Sequence, residues 1–484
     1  MTTRRKITRR GLLKGSMAAA AAANTVLAGD SALHPRGIAP QVKAASLTPA
    51  EELKTKIYYK DNPSYETFRK AATWNARKPN RYPNAIVFPE NVDDVIAAVK
   101  LAKANKWQVA TRSGGHSFTG SHTRNNAVLI NIYKMKELKV DAKNRTAIVS
   151  PAWFGDQLND ELAKDKLVAL TAHDPTVGIG GFTLCGGHST LGRMYGPACA
   201  SLEALDLVNA DGELIHADEK QNSDYLWAAR GSGPGFFGVA VRFYIKLYPL
   251  PTHRMSSGFV FEPEAIDEVA TWLGTHQNAF PRYLESVMTG GTTKEGKSFI
   301  RMGGTVHGSS EKEADEALKL IENSPVAAKA TSKRLRSPYT GKGNGGGIIP
   351  GSRQILDGLW VTATPDKILA HGRDGFLKLP TQQSFMLWLH WGPPHKLPDM
   401  CYSLQGDIYM SPNAIYYDAA DDARCQAWTS EVVAKLRPLA NGSQMNDENM
   451  QFNKGAYLSK ESAAKLEVLR KKYDPERRFA GFLT

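Results

Sequence analysis

The chain has 484 residues, 42% of them apolar, and carries 61 Lys and Arg against 48 Asp and Glu for a formal net charge of +13. That length predicts two to four domains with ample apolar material for burial. Six bases (Arg4, Arg5, Lys6, Arg9, Arg10, Lys14) crowd the first 14 residues with no acid; without them the charge falls to +7, spread among acids, which excludes a nucleic-acid surface.

In chain order, residues 1–28 combine this basic head with an alanine run over 18–23 and the small-residue exit Val26-Leu27-Ala28. That pattern predicts an export signal, and Thr8-Arg9-Arg10-Gly11-Leu12-Leu13-Lys14 resembles a twin-arginine motif, which carries folded proteins to a periplasmic or extracellular location. Residues 29–63 read as a leader. From residue 64 a helix-and-strand module begins: a helix over 65–74, a strand around Ala85-Ile86-Val87, a helix over 92–104 behind Pro89-Glu90-Asn91, and a strand Trp107-Gln108-Val109-Ala110-Thr111. This strand runs into Arg112-Ser113-Gly114-Gly115-His116-Ser117-Phe118-Thr119-Gly120, where glycine lets backbone N–H groups approach an anion and Arg112 adds a positive fork.

Strands at 127–132 and 146–151 follow. A second glycine stretch runs from Val177-Gly178-Ile179-Gly180-Gly181 through Thr183, Gly186 and Gly187 to Gly192-Arg193-Met194-Tyr195-Gly196, and a third, Ser223-Asp224-Tyr225-Leu226-Trp227-Ala228-Ala229-Arg230-Gly231-Ser232-Gly233-Pro234-Gly235-Phe236-Phe237-Gly238-Val239, leads into a strand over 240–248. Three glycine loops in this order predict one long ligand, a dinucleotide cofactor. Residues 255–438 switch to longer amphipathic helices (262–276, 311–323) between apolar strands (358–362, 385–390), as in an antiparallel sheet covered by helices. The run Gly341-Lys342-Gly343-Asn344-Gly345-Gly346-Gly347 reads as a surface loop or a lid. A helix over 461–472 stops at Asp474-Pro475.

These stretches name a family. RSGGHS (112–117), PTVGIGG (175–181), GRMYG (192–196), SDYLWAARGSGPGFFGV (223–239) and KKYDPERRF (471–479) resemble the FAD-linked oxidases of the vanillyl-alcohol oxidase and para-cresol methylhydroxylase superfamily, in its berberine-bridge-enzyme-like branch. The resemblance covers most of the chain after about residue 70. It implies an α+β fold: an FAD-binding domain of two small α/β subdomains (64–254), a substrate domain (255–438) and a C-terminal segment (439–484) returning to the first.

It also implies FAD bonded through its 8α-methyl carbon to His116. The expected cofactor contacts are His116, Arg112, Ser113, Gly114, Gly115, Ser117, Gly120, Pro175, Thr176, Gly178, Gly180, Gly181, Thr183, Gly186, Gly187, Tyr195, Gly196, Gly238, Val239 and Asn446. Relatives often add a bond from a cysteine, whose place Asp174 takes here, so a single attachment is expected; Cys185 lies eleven positions further on. Cys185, Cys199, Cys401 and Cys425 allow three pairings, and neither CxxC nor HExxH occurs, so no metal is expected.

Flavin oxidation of a carbon bearing oxygen or nitrogen calls for a base. The family's YxNY motif reads Gln444-Met445-Asn446-Asp447 here, a position where many members carry glutamate reads Pro412, and Phe236 replaces a common asparagine. The catalytic candidates are Asp447, Tyr409 and Tyr402, with His390 and Asp407 behind them, and Trp388, Trp391, Tyr416 and Tyr417 join Tyr402 and Tyr409 as candidate pocket aromatics. The resemblance implies a small-molecule substrate, an alcohol or amine of a sugar, aromatic or polycyclic metabolite, with dioxygen as acceptor; the scattered charge predicts no nucleic-acid partner, and no apolar run after the signal is long enough to predict a membrane span. The departures leave two other classes open: a cyclisation, dehydration or rearrangement on a flavoprotein, or a flavin-containing binding protein.

Overall fold

The computed structural model describes residues 48–339, 349–392, 396–447, 449–452 and 454–483. The export signal, the start of the leader and the Gly341–Gly347 loop lie outside the described residues.

Among the described residues three larger sheets, beside a two-stranded pair of Leu167–Val168 with Tyr248–Pro249, organise the fold. The first has the order Ile57–Tyr59, Ala85–Val87, Ala127–Asn131, Gln108–Arg112, with its first pair antiparallel and the rest parallel. The segment read as a leader thus supplies an edge strand. Val92–Ala104 forms a helix because Asn91 caps it, accepting from the Asp94 N–H at 2.9 Å, and because Val95, Ala98, Val99 and Ala102 recur on one buried face. The second sheet is antiparallel in the order Leu138–Asp141, Thr146–Val149, Val239–Lys246, Leu202–Val208, Leu214–Ala217.

The third sheet is antiparallel and has nine strands among the described residues. Ser332–Pro338, His253–Phe261, Ser298–Gly308, Leu284–Thr292, Phe385–His390, Ile408–Tyr416, Leu359–Val361 and Ala440–Ser443 follow one another, and Arg353–Leu356 also pairs with Ile408–Tyr416. Strand alternation gives it two different faces. Met288, Met302, Met386, Trp388 and Met410 pack beneath the helices Ile266–His276, Glu311–Glu322, Pro365–Leu377 and Asp422–Leu436, which answer with Leu273, Ile321, Phe376 and Leu436 at helical spacing. The opposite face turns Val287, Leu387 and Leu389 toward the glycine loops.

The C-terminus closes the first sheet. Asp474 accepts from the Arg478 and Phe479 N–H groups at 2.6 and 3.0 Å, and this turn lays the chain beside Val109, which donates to the Arg478 carbonyl and accepts from the Ala480 N–H. Ala440–Ser443 remains in the third sheet, so the return comes a few residues after 439.

Candidate active site

A cavity of about 770 Å³ lies between the glycine loops, the C-terminal turn and the open face of the third sheet. Its size falls within the range of cofactor and ligand sites.

The cofactor-side wall is made mostly of backbone. A Cβ on Gly178 would stand 2.5 Å from the Gly114 nitrogen, and one on Gly114 would stand 2.4 Å from the Gly178 nitrogen, so the first two loops touch main chain to main chain. Gly115 adopts φ +75°, and the Arg112 guanidinium braces that turn by donating to the Ala72 and Gly114 carbonyls and to Asn131 at 3.2, 3.0 and 3.1 Å. The sequence-expected fork is therefore occupied in holding the turn. Ser113 donates to the Pro151 carbonyl at 2.6 Å. Asn446 fixes the second loop, accepting from the Gly187 N–H at 3.0 Å and donating to the Phe182 carbonyl at 3.1 Å.

His116 lies at the rim of this clasp. Burial pushes its imidazole down to about 4, Nε2 is 3.3 Å from Thr176 Oγ1, and Nδ1 is buried with no hydrogen-bond partner. Trp74 stacks on the ring and donates to the His116 carbonyl. This unpartnered nitrogen, together with a cradle that a single Cβ would fill, fits a bound flavin.

Of the expected contacts, Arg112, Ser113, Gly114, Gly115, His116, Ser117, Pro175, Gly178, Gly180, Gly181, Gly238 and Asn446 line the cavity. The others stand behind the wall. Thr176 touches His116 from the side; Gly120 packs on Pro79, Gly186 on Tyr402 and Gly187 on Phe182; Tyr195 stacks on Tyr248, with Gly196 just after it; Thr183 and Val239 are buried in the core. The GRMYG stretch joins the two halves of the protein: the buried Arg193 guanidinium donates to the Leu284, Pro281, Phe280 and Trp391 carbonyls.

On the substrate side the two leading catalytic candidates meet. Tyr409 donates its phenol to Asp447 Oδ2, and Gly358 makes room for the pair, since a Cβ there would stand 2.5 Å from the Tyr409 ring. Burial pushes Asp447 up to about 6 and holds the Tyr409 phenol well above its ordinary value. Tyr402 does not join them: it is buried beneath Gly186 and Gly231, with its hydroxyl 3.4 Å from Gln444 Oε1. His390 pairs with Asn278, while the Asp407 carbonyl accepts from the Trp391 and Gly392 N–H groups; neither lines the cavity.

Strand alternation removes the other expected aromatics. Trp388 faces the helices and Trp391 packs against His188 and Trp360, whereas Tyr416 bonds Asp422 and Tyr417 is exposed. Phe385, Leu387 and Leu389 reach the cavity instead, and on the next strand Tyr409 and Asn413 do, while Pro412 does not. Phe236 lines it as well.

The sequence reading missed a polar group on this side. His173 Nε2 and Glu285 Oε1 are 2.9 Å apart. Burial would lower His173, but the Glu285 carboxylate overrides it and holds the imidazole above its ordinary value; burial likewise opposes Glu285, yet His173 keeps that carboxyl below its usual range. Beside them His188 packs edge-on to Trp391 and Tyr409 and is pushed down to about 3 by burial. One signal was available: Gly186-Gly187-His188-Ser189 repeats Gly114-Gly115-His116-Ser117.

No disulfide joins Cys185, Cys199, Cys401 or Cys425, and Cys199 lies 3.8 Å from the Met400 sulfur. Among the described residues no cluster of His, Cys, Asp and Glu could hold a metal ion, and no helix is long and apolar enough to cross a membrane.

Comparison with known proteins agrees with this geometry. Residues 83–218 match the FAD binding domain family. The FAD-linked oxidoreductase penO of Penicillium crustosum is 32% identical over 87% of this chain and 94% of its own length. Among solved structures, 6-hydroxy-D-nicotine oxidase from Arthrobacter nicotinovorans (TM-score 0.75, 20% identity, 88% of this chain and 96% of that one) and BBE-like 1 of Physcomitrella patens (TM-score 0.75, 17% identity, 90% and 97%) share the fold. The chain therefore belongs to the FAD-linked oxidoreductases, and its fold is the one these BBE-like and nicotine-oxidase structures share. It is an FAD-dependent enzyme.

Proposed function

We propose that this enzyme is an exported oxidase that carries FAD on His116 and oxidises a C–OH or C–N bond of a sugar, aromatic or polycyclic metabolite, with dioxygen as acceptor. The observation that carries the reading is the hydrogen-bonded Tyr409–Asp447 pair in the cavity wall, beside the apolar side chains of Val287, Leu387 and Leu389. The same wall also carries polar side chains, Glu285, His173, Gln382, Gln383 and Asn413 among them, so it offers hydrogen bonds to a sugar as well as apolar contact to a ring system. Export rests on the twin-arginine pattern at residues 8–14.

Bound FAD supplies the hydride acceptor. The protein's part is positioning and proton transfer. Because the Tyr409 phenol proton is directed at Asp447 Oδ2, the lone pairs of its oxygen are left for the O–H or N–H proton of the substrate, and the phenol's own proton can pass to the carboxylate as that proton arrives. Burial raises the proton affinity of Asp447 while leaving it ionised above about pH 6. Glu285 raises the proton affinity of His173, and a positive charge there lowers that of Asp447.

The test is anaerobic mixing of the purified enzyme with candidate alcohols and amines. An oxidase bleaches, then recovers its colour in air with release of peroxide; a spectral perturbation without bleaching would favour a binding protein, and product without peroxide a rearrangement. Acid precipitation of the wild type beside His116→Ala tests the attachment, since colour should stay with the first polypeptide and leave the second.

A further inference from the structure

We propose that Asp174 and Thr176 set the tautomer of His116, so that Nδ1 is the nitrogen that bonds the flavin; the proposal rests on His116 being the attachment point and says how this chain prepares it. Asp174 Oδ1 accepts twice from residue 176, from its backbone N–H at 2.9 Å and from its hydroxyl at 2.6 Å. A hydroxyl has one hydrogen. With that hydrogen committed to a carboxylate, Thr176 Oγ1 can offer only a lone pair to His116 Nε2, 3.3 Å away. Nε2 must then be the nitrogen that carries the hydrogen.

A neutral imidazole has one N–H, and the hydrogen bond made by one nitrogen decides the state of the other. Nδ1 is therefore left with its lone pair, and it is the ring nitrogen that is buried without a partner in the protein. Burial keeps the ring neutral at working pH. Trp74 limits its rotation, with ring centroids 5.7 Å apart and planes at 28°, while the Trp74 indole N–H holds the His116 carbonyl at 3.0 Å. Asp174 and Thr176 are positioning residues, acting through His116.

The covalent step balances with dioxygen as oxidant. The bond between Nδ1 and the 8α carbon forms, and one C–H bond of the 8α-methyl group breaks. Its proton goes to solvent, the electron pair passes to dioxygen, and with two protons this leaves as hydrogen peroxide. Alkylation at Nδ1 makes the ring a cation with its hydrogen on Nε2, on the side where Thr176 and the Asp174 carboxylate stand.

The experiment follows the fraction of flavin that stays with acid-precipitated polypeptide over time in wild type, Asp174→Ala, Asp174→Asn, Thr176→Val and Thr176→Ser. The flavinylated peptide is then assigned to Nδ1 or Nε2 by the pH dependence of its fluorescence. Wild type, Asp174→Asn and Thr176→Ser, which keep an acceptor for the hydroxyl and a hydroxyl for Nε2, should attach through Nδ1. Asp174→Ala frees the hydroxyl to donate to Nε2, and Thr176→Val removes it, so both should bind FAD reversibly and attach at least about tenfold more slowly, or through Nε2.

Attachment through Nδ1 at the wild-type rate in both of these variants overturns the proposal while leaving His116 as the anchor. Release of all flavin by the wild type overturns the anchor, and this proposal with it. Should Asp174→Ala fail to fold, Thr176→Val decides alone, because Thr176 is exposed and its replacement costs little packing.

Discussion

The two walls of the cavity are built on different principles. On the cofactor side, Gly114 and Gly178 meet backbone to backbone, and Arg112, Asn446 and the Asp474 turn spend their hydrogen bonds on holding main chain in place. On the substrate side, a regular sheet presents alternate side chains, and Val287, Leu387, Leu389 and Tyr409 could each be exchanged without moving a strand. The first wall tolerates almost no change; the second can be retuned one side chain at a time. Cofactor identity is thereby fixed while substrate choice stays open to variation.

The largest expected effect tests the rigid wall. Gly178→Val should abolish flavin content, because the new Cβ alone would stand 2.5 Å from the Gly114 nitrogen and 2.6 Å from the Ser113 hydroxyl oxygen; the flavin absorbance per protein reads it, and a normally loaded variant would refute the clasp. Next, Tyr409→Phe should lower kcat about 10²- to 10⁴-fold with flavin content unchanged, as expected for loss of a proton acceptor. If flavin is lost as well, the two walls are not separable.

Asp447→Asn acts on activity and stability in opposite senses. In the wild type kcat/KM should fall as pH drops through about 6, where Asp447 becomes protonated, and the variant should lose this limb. The folded protein favours the protonated carboxyl, so its contribution to stability is fully present below about pH 4 and is lost as pH rises through 6. The variant escapes that loss: by thermal melts it should be more stable than wild type at pH 8, by at most about 3 kcal/mol, and indistinguishable near pH 4. Smallest of all, Leu387→Ala should raise KM by about tenfold, with unchanged flavin content and little change in kcat, since it removes apolar contact made equally by substrate and transition state.

How far the sequence could be read follows the same division. RSGGHS and PTVGIGG were legible because main-chain contact admits only glycine, and such a restriction leaves its mark on the text wherever it occurs. The helix Val92–Ala104 was legible from its helical periodicity and the strand Phe385–His390 from its unbroken apolar run. The pairing of Tyr409 with Asp447 was half legible: both were candidates, but they are 38 positions apart, and Tyr402 looked as good until its burial under Gly186 and Gly231 removed it. Glu285 and His173, 112 positions apart, left no sign of each other, and their importance appears only once the strand Leu284–Thr292 crosses the second glycine loop.

By itself, then, the sequence determined the cofactor class, the glycine loops that line the cavity and the alternation of elements, because each of these depends on local conformation or on residues within one turn or loop. Only the tertiary structure decided which face of the third sheet meets the cavity, and hence that Leu387 and Leu389 reach it while Trp388 does not. Alternation fixes which residues share a face, but the face that becomes core is set by which side the helices cover. That choice is made by long-range contacts such as Arg193 against the Leu284 and Trp391 carbonyls, which no local pattern encodes.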